Sequence, residues 1–98
     1  MTRQEEVIYL AGIIDGEGHF YKPNTVNGRG EHHRYSRILV SQKDKRLLIW
    51  IKARFGGSIS TRKDGYSLWT LQGKKAEELA RNLQPYMIVK DTQIKRII

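Results

Sequence analysis

Residues 10–18 read Leu10-Ala11-Gly12-Ile13-Ile14-Asp15-Gly16-Glu17-Gly18 and carry the strongest signal in this sequence. The glycines at positions 12 and 16 of this stretch lie on one side of a predicted helix. No side chain covers the backbone there, so a second helix can approach closely. Glycine inside a helix lowers helix stability by about 1 kcal/mol relative to alanine, so the presence of Gly12 indicates that close packing requires it. Because the motif occurs once, we predict a two-fold homodimer in which this helix packs against its own copy. The residues predicted at that interface are Leu10, Gly12, Ile13 and Gly16.

The composition predicts one domain over residues 1–98 with an uneven positive charge. The net charge of +8 divides into −3 over residues 1–21, +9 over residues 22–63 and +2 over residues 64–98. Such a basic segment favours a polyanionic partner, although charge alone fits a solvated surface equally well. The chain has no cysteine, which excludes disulfides and thiolate metal sites. Because we find neither a signal peptide nor a long apolar run, we expect no membrane partner and an intracellular protein, in the cytoplasm of a prokaryote or phage-infected cell or in an organelle.

Hydrophobic periodicity and turn residues predict an α+β fold with the element order αββαββα. In the second strand, Ile38 and Val40 alternate with Tyr35, Arg37 and Leu39, so one face of the sheet carries helices and the other is polar. A polar, basic sheet face suits binding to duplex DNA. The predicted helices are 4–15, 45–55, 74–83 and 91–98, the predicted strands are 19–22, 35–42, 58–62 and 66–72, and residues 24–33 are predicted to form a mobile hairpin loop.

Residues 10–18 resemble the signature motif of the LAGLIDADG homing endonucleases, with Ile at its fourth position and Gly and Glu at its seventh and eighth. Residues 40–46 are similar to the strand-to-helix junction of that family, and residues 83–90 to the segment before its fourth helix. The resemblance implies a four-stranded antiparallel saddle sheet with helices packed on one face. It also implies a homodimeric, site-specific double-strand DNA endonuclease that cuts a long pseudo-palindromic target and serves intron or intein mobility.

The predicted catalytic centre is built around Glu17. In a dimer, each Glu17 carboxylate lies beside its symmetry mate, and the two repel unless a proton or a divalent cation lies between them. Oxygen ligands alone favour Mg²⁺, with Mn²⁺ as a substitute. The resemblance implies that Glu17 and the backbone carbonyl of Gly16 bind the metal and that Asp15 is structural. In the family, the acid at position 17 is usually Asp.

Three more residues take catalytic roles by the same resemblance. Gln42 and Arg46 would contact the water network around the scissile phosphate. Lys90 would act on the nucleophilic water or steady the phosphate charge. A glutamine at a strand end and an arginine in a first helical turn are also ordinary features of proteins without such a site.

Side chains on the polar face of the sheet and in the loop are predicted to contact double-stranded DNA. Some would read base edges, as Arg does with guanine, and others would contact phosphate only. The predicted DNA-binding residues are Tyr21, Lys22, Asn24, Arg29, His33, Arg34, Tyr35, Arg37, Leu39, Ser58, Ser60, Arg62, Leu68 and Thr70.

Two alternatives remain open from the sequence. The same fold could serve a non-catalytic DNA-binding regulator or an RNA splicing cofactor (maturase), although a pure binder gains little from paired acids such as Glu17 or from Lys90. The chain could also be a fragment of a longer protein.

Overall fold

A computed structural model of the chain describes residues 1–22, 25–26, 32–33 and 35–98, with the backbone alone at 25–26 and 32–33. Helix α1 spans Arg3–Glu17 and begins with a capping box, in which Thr2 and Glu5 bond each other's backbone N–H groups. The sequence predicted an end at residue 15, but the helix continues through Gly16. It ends only where Gly18 becomes extended and donates its N–H to the Ile14 carbonyl.

The other elements follow the predicted order, with two short strands and a 3₁₀ turn in addition. In chain order they are β1 (Gly18–Tyr21), β2 (Thr25–Val26), β3 (His32–His33), β4 (Arg37–Gln42), α2 (Lys45–Phe55), β5 (Ser58–Thr61), β6 (Ser67–Gln72), α3 (Lys74–Leu83), a 3₁₀ turn (Gln84–Tyr86) and α4 (Asp91–Ile94).

A four-stranded antiparallel sheet in the order β1-β4-β6-β5 confirms the predicted α+β fold. Its register aligns Phe20 with Ile38 and Leu71, and Val40 with Trp69, so one sheet face is apolar. The separate β2–β3 ribbon lies within the stretch predicted to be a loop.

The core lies between the apolar sheet face and the helices. The side chains of Ile38, Val40 and Trp69 are fully buried, as predicted for Ile38 and Val40 from the alternation in β4. The helices contribute the fully buried side chains of Leu10, Ile14, Leu48, Ile51 and Leu83. Among the residues described, no helix has the length and apolarity needed to cross a membrane.

The turn from α2 into β5 depends on Gly57. Its φ is +91°, and an added Cβ would lie 2.5 Å from the Thr70 carbonyl oxygen and 2.7 Å from Trp69 Nε1. The Trp69 indole donates to the Gly56 carbonyl at 2.7 Å, which satisfies its N–H in the core. Glycine is therefore required where the turn crosses β6.

The last helix is shorter than the predicted range of 91–98. After Ile94, the backbone bonds from Arg96 to Gln93 and from Ile97 to Ile94 span three residues and tighten the chain into a turn. Ser36 Oγ donates to the Ile97 carbonyl at 2.8 Å, which fixes this turn against the sheet. Ile94 and Ile97 are both buried in this arrangement.

Candidate functional site

The end of α1 places Glu17 beside the end of β4. The helix can pass straight into β1 because Gly18 has no side chain, since a Cβ there would lie 2.7 Å from Ile14 Cα. Gly18 pairs with Val40, so Gln42 lies two residues past this pair, beside the end of α1. Gln42 Nε2 donates to Glu17 Oε2 at 2.5 Å, and Gln42 Oε1 accepts from the Lys43 backbone N–H at 2.9 Å. The structure thus brings Glu17 and Gln42 together, with the Glu17 side chain exposed.

Lys90 reaches the same end of α1 from the far end of the sequence. Its ammonium donates to the Ile14 carbonyl at 2.8 Å and to the Gly18 carbonyl. These carbonyls flank Glu17 in the chain, at the negative end of the helix dipole. The half-buried Lys90 therefore lies against the backbone that carries Glu17, and its hydrogen bonds go to carbonyls rather than to the carboxylate.

Asp15 ties the segment before α4 to α1. Its carboxylate accepts the backbone N–H groups of Ile88 at 2.9 Å, Val89 at 3.0 Å and Lys90 at 3.0 Å. Partial burial acts to raise the pKa of Asp15, but these three donors and the nearby Lys90 charge outweigh it and leave the pKa below its ordinary value. The contacts are those of a structural residue, as expected for Asp15.

Arg46 lies at the start of α2, and its guanidinium binds Asp44. Arg46 Nη2 is 2.5 Å from Asp44 Oδ2, and Arg46 Nε donates to both carboxylate oxygens at 3.0 and 3.1 Å. This side-chain pairing lowers the pKa of Asp44 to about 2. Asp44 also caps α2 by accepting the Arg46 backbone N–H at 3.0 Å.

Arg46, Asp44 and Gln42 share an open cleft with Tyr9 and Trp50. Arg46 is thus near the Gln42 end of the site, although its guanidinium is engaged by Asp44 and its side chain is 89% exposed. The sequence did not identify Asp44 as the partner of Arg46. The signal that could have predicted this pair is an acid and a base two residues apart at the start of a helix.

The outer face of α1 is open. Gly12 and Gly16 are exposed, and a Cβ added to either would meet nothing within 4 Å. Ile13 is half-buried. The prediction for Leu10 is wrong, because its side chain is fully buried in the core of the protomer and has no surface to offer a second chain. The helix is apolar on more than one side, so the sequence did not show that position 10 faces the sheet.

The sheet face opposite the helices carries the predicted DNA-binding side chains that the structure describes. The register aligns Leu39 with Thr70 and Thr70 with Ser58, and it aligns Ser60 with Leu68. Tyr21 aligns with Arg37. Lys22, Tyr35 and Arg62 flank strand ends, and all ten side chains are exposed or half-buried. Asn24, Arg29 and Arg34 lie outside the described residues, and His33 is described by its backbone alone.

No protein-family model and no curated protein matches the sequence, but solved structures do. The homing endonuclease I-CvuI, in complex with its target, matches with a TM-score of 0.85 and 23% identity over 95% of this chain and 63% of that one. The archaeal intron-encoded homing endonuclease I-Vdi141I, complexed with DNA, matches with a TM-score of 0.80 and 20% identity, over 95% of this chain and 64% of that one. The LAGLIDADG homing endonuclease I-SmaMI, bound to cleaved DNA, matches with a TM-score of 0.71 and 22% identity, over 85% of this chain and 30% of that one.

The chain has the LAGLIDADG homing-endonuclease fold. The resemblance drawn from residues 10–18 is thereby confirmed at the level of fold. The chain spans less than two thirds of the I-CvuI and I-Vdi141I chains that it matches.

Within this LAGLIDADG fold, the predicted metal ligands are hard oxygen donors. Glu17 offers an exposed carboxylate, and Gly16 lies in the last turn of α1, where helix carbonyls lack partners within the helix. Mg²⁺ commonly binds through one or two carboxylates and keeps several waters, so this donor set fits it. The described part of the protomer holds no group of three or more His, Cys, Asp or Glu side chains placed to bind a metal.

Replacing Asp15 by Asn is expected to destabilise the protein by about 1–3 kcal/mol near neutral pH, because one amide oxygen cannot replace two charged acceptors. Since the pKa of Asp15 is lower in the folded state than the ordinary 3.8, its contribution is present above that value. It is lost as the pH falls through the folded pKa. Urea unfolding at about pH 7 and at a series of acidic pH values should therefore show a stability difference that shrinks as the pH falls. An equal difference at all pH values would contradict this role.

Proposed function

We propose that the chain is one subunit of a homodimeric, site-specific, metal-dependent DNA endonuclease that cuts both strands of a long pseudo-palindromic target. The observation that carries the proposal is the placement of the exposed Glu17 carboxylate, hydrogen-bonded to Gln42, at the end of a helix face that Gly12 and Gly16 leave open. Solved proteins of the same fold are bound to DNA, one of them to cleaved DNA.

The open face of α1 supports pairing with a second copy. Gly12 and Gly16 provide room for close helix contact, and Ile8 and Tyr9, 45% and 50% exposed, lie one turn earlier. Beyond the other end of the helix, Ile88 and Val89 are 84% and 70% exposed although Asp15 holds their backbone N–H groups. A backbone that is already held in place loses less entropy on association. Two protomers joined along this face bring their Glu17 carboxylates together.

The paired carboxylates and the Gly16 carbonyls would hold Mg²⁺, or Mn²⁺ in its place. When bound, such an ion activates a water, orients the scissile phosphate and stabilises the leaving oxygen. Gln42 orients the Glu17 carboxylate and presents an amide to the water network. Lys90 holds the end of α1 through the Ile14 and Gly18 carbonyls and adds a positive charge beside the phosphate site.

Arg46 would act on the scissile phosphate from the adjacent cleft. Its guanidinium is bound to the Asp44 carboxylate at 2.5–3.1 Å, so a phosphate must compete with or share that partner. An exposed ion pair of this kind contributes at most about 1 kcal/mol of stability, so a phosphate can displace Asp44 from the Arg46 guanidinium.

The DNA lies, in this proposal, along the sheet face opposite the helices. Leu39, Leu68 and Thr70 lie on that face within β4 and β6, and Lys22, Arg37 and Arg62 lie at or beside strand ends. Central side chains would meet base edges, and side chains at the rim would meet phosphates.

DNA binding is expected to weaken steeply with salt, because each neutralised phosphate releases condensed counterions. For about six to ten phosphate contacts per dimer, affinity should fall about 10³- to 10⁵-fold between about 50 and 200 mM salt. Fluorescence anisotropy with a labelled duplex checks this. A flat salt response would contradict phosphate contact by the basic face.

Selection of cleaved products from a randomised duplex library tests the proposed function. The expected result is Mg²⁺-dependent recovery of nearly palindromic sequences with both strands cut. Sequence-specific binding without cleavage would instead favour a DNA-binding regulator, and selective binding of structured RNA would favour a maturase.

A further inference from the structure

Asp44 binds Arg46 in two ways at the start of α2. Its Oδ1 accepts the Arg46 backbone N–H at 3.0 Å, which caps the helix. The same carboxylate accepts hydrogen bonds from Nε of the Arg46 side chain at 3.0 and 3.1 Å and from Nη2 at 2.5 Å. Because the cap ties the carboxylate to the helix, the guanidinium that binds this carboxylate is held in one orientation.

The Asp44 carboxylate occupies only one edge of the Arg46 guanidinium. A guanidinium has a side edge formed by Nε and Nη2 and an end edge formed by Nη1 and Nη2, and each edge presents two parallel N–H groups. The bonds to Asp44 use the side edge. The Arg46 side chain is 89% exposed, so its end edge is accessible beside the cleft that it shares with Gln42. A phosphate can therefore bind the end edge while Asp44 keeps the side edge.

The charges around this pair keep the start of α2 attractive to phosphate. Residues 43–46 read Lys43-Asp44-Lys45-Arg46, and three bases with one acid give this stretch a net charge of +2. Within the described part of the chain, neither lysine forms a salt bridge. Asp44 can therefore orient Arg46 without making its surroundings acidic.

Holding Arg46 in advance reduces the entropy that its side chain loses on binding. Immobilising one long side chain lowers affinity by about 2- to 10-fold. Most exposed ion pairs orient their partners weakly, but a bidentate arginine–carboxylate pair is the favourable exception. In this pair, the helix cap also restrains the carboxylate. Orientation matters most for the chemical step, because a small misplacement of a group that contacts the reacting phosphate slows the reaction.

We propose that Asp44 is a positioning residue that holds Arg46 with its end edge directed at the scissile phosphate. The inference rests on the proposed function, because it requires DNA at the Glu17 end of the sheet. It assigns the ion pair a role in orientation, whereas a contact that only sequesters Arg46 would have the opposite effect on cleavage.

Asp44→Ser separates orientation from helix capping. Serine caps a helix about as well as aspartate but is too short to bind the guanidinium, so the melting temperature should be unchanged. Single-turnover cleavage of the selected target at saturating protein should slow about 2- to 10-fold. DNA affinity should be unchanged or higher, because a negative charge beside the phosphates is lost. A purely structural role would not slow cleavage while binding and stability are retained.

Two further variants test whether Asp44 acts through Arg46 and not through general charge. In an Arg46→Met background, Asp44→Ser should have no further effect on cleavage. Asp64→Ser is the matched control, because Asp64 binds the backbone N–H of Tyr66 and the guanidinium of Arg62. It removes the same charge from the turn between β5 and β6 and should leave the cleavage rate unchanged.

Faster cleavage by Asp44→Ser would show that Asp44 sequesters Arg46, and an unchanged rate would show that the contact has no role in cleavage. Either result, or equal slowing in the Arg46→Met background, would overturn the inference while leaving the nuclease proposal intact. A wild-type protein that cleaves no duplex would overturn both.

Discussion

Glu17→Gln is expected to reduce Mg²⁺-dependent DNA cleavage by at least about 10³-fold. A bound metal supplies several kcal/mol of transition-state stabilisation, and each 1.36 kcal/mol is a tenfold change in rate. The amide keeps the size of the side chain and its contact with Gln42 but removes the charge that attracts the cation. Single-turnover cleavage of the selected target measures the loss.

DNA affinity serves as the internal control for this variant. Removing a negative charge beside the phosphate site should leave binding unchanged or tighter. Glu17→Asp keeps the carboxylate and shortens the side chain by one methylene, so it should retain measurable cleavage. Glu78→Gln removes an exposed acid from α3 and should have no effect. Cleavage at the wild-type rate by Glu17→Gln would remove Glu17 from the mechanism.

Gly12→Leu is expected to separate the subunits, raising the dimer dissociation constant by at least about 10- to 100-fold. Leucine fills the space that the backbone of the second helix would occupy, and overpacking of a close contact costs about 1–3 kcal/mol. DNA cleavage should fall together with dimer association, because the two Glu17 carboxylates are no longer held side by side. Sedimentation equilibrium measures the change in association.

The protomer itself has room for this leucine. A Cβ at Gly12 meets nothing within 4 Å, and leucine has a better helix propensity than glycine by roughly 1 kcal/mol. The variant protomer should therefore be at least as stable as the wild type, so lost association cannot be attributed to unfolding. Ala53→Leu adds bulk to an exposed position of α2 and should leave association unchanged. An unaltered dimer in Gly12→Leu would refute the helix contact.

Local patterns predicted the fold well because its elements are governed by neighbouring residues. Alternation in β4 placed Ile38 and Val40 inside and Arg37 and Leu39 outside, and the predicted range of 45–55 for α2 matches the structure. The α1 motif predicted an acid at the end of a bare helix face, and that is where Glu17 lies. Periodicity does not specify which strands pair, so the order β1-β4-β6-β5 was not predicted.

Two kinds of contact could not be predicted from the sequence. One joins residues that lie far apart in the chain, and the other involves a side chain that has more than one possible partner. Asp15 binds backbone groups 73 to 75 positions away. Leu10 belongs to a helix that is apolar on several sides, and only packing showed that it faces the sheet. The guanidinium of Arg46 had two possible partners, the phosphate site and Asp44, and the structure places it on Asp44.

Crystals of the protein bound to its selected DNA, grown with Mn²⁺, offer the most direct test of the central claim. An anomalous difference map should show Mn²⁺ bound by Glu17 carboxylates from two protomers whose α1 helices pack at Gly12 and Gly16, with the scissile phosphates completing the coordination. Glu17 side chains held far apart, without metal and facing solvent, would contradict it.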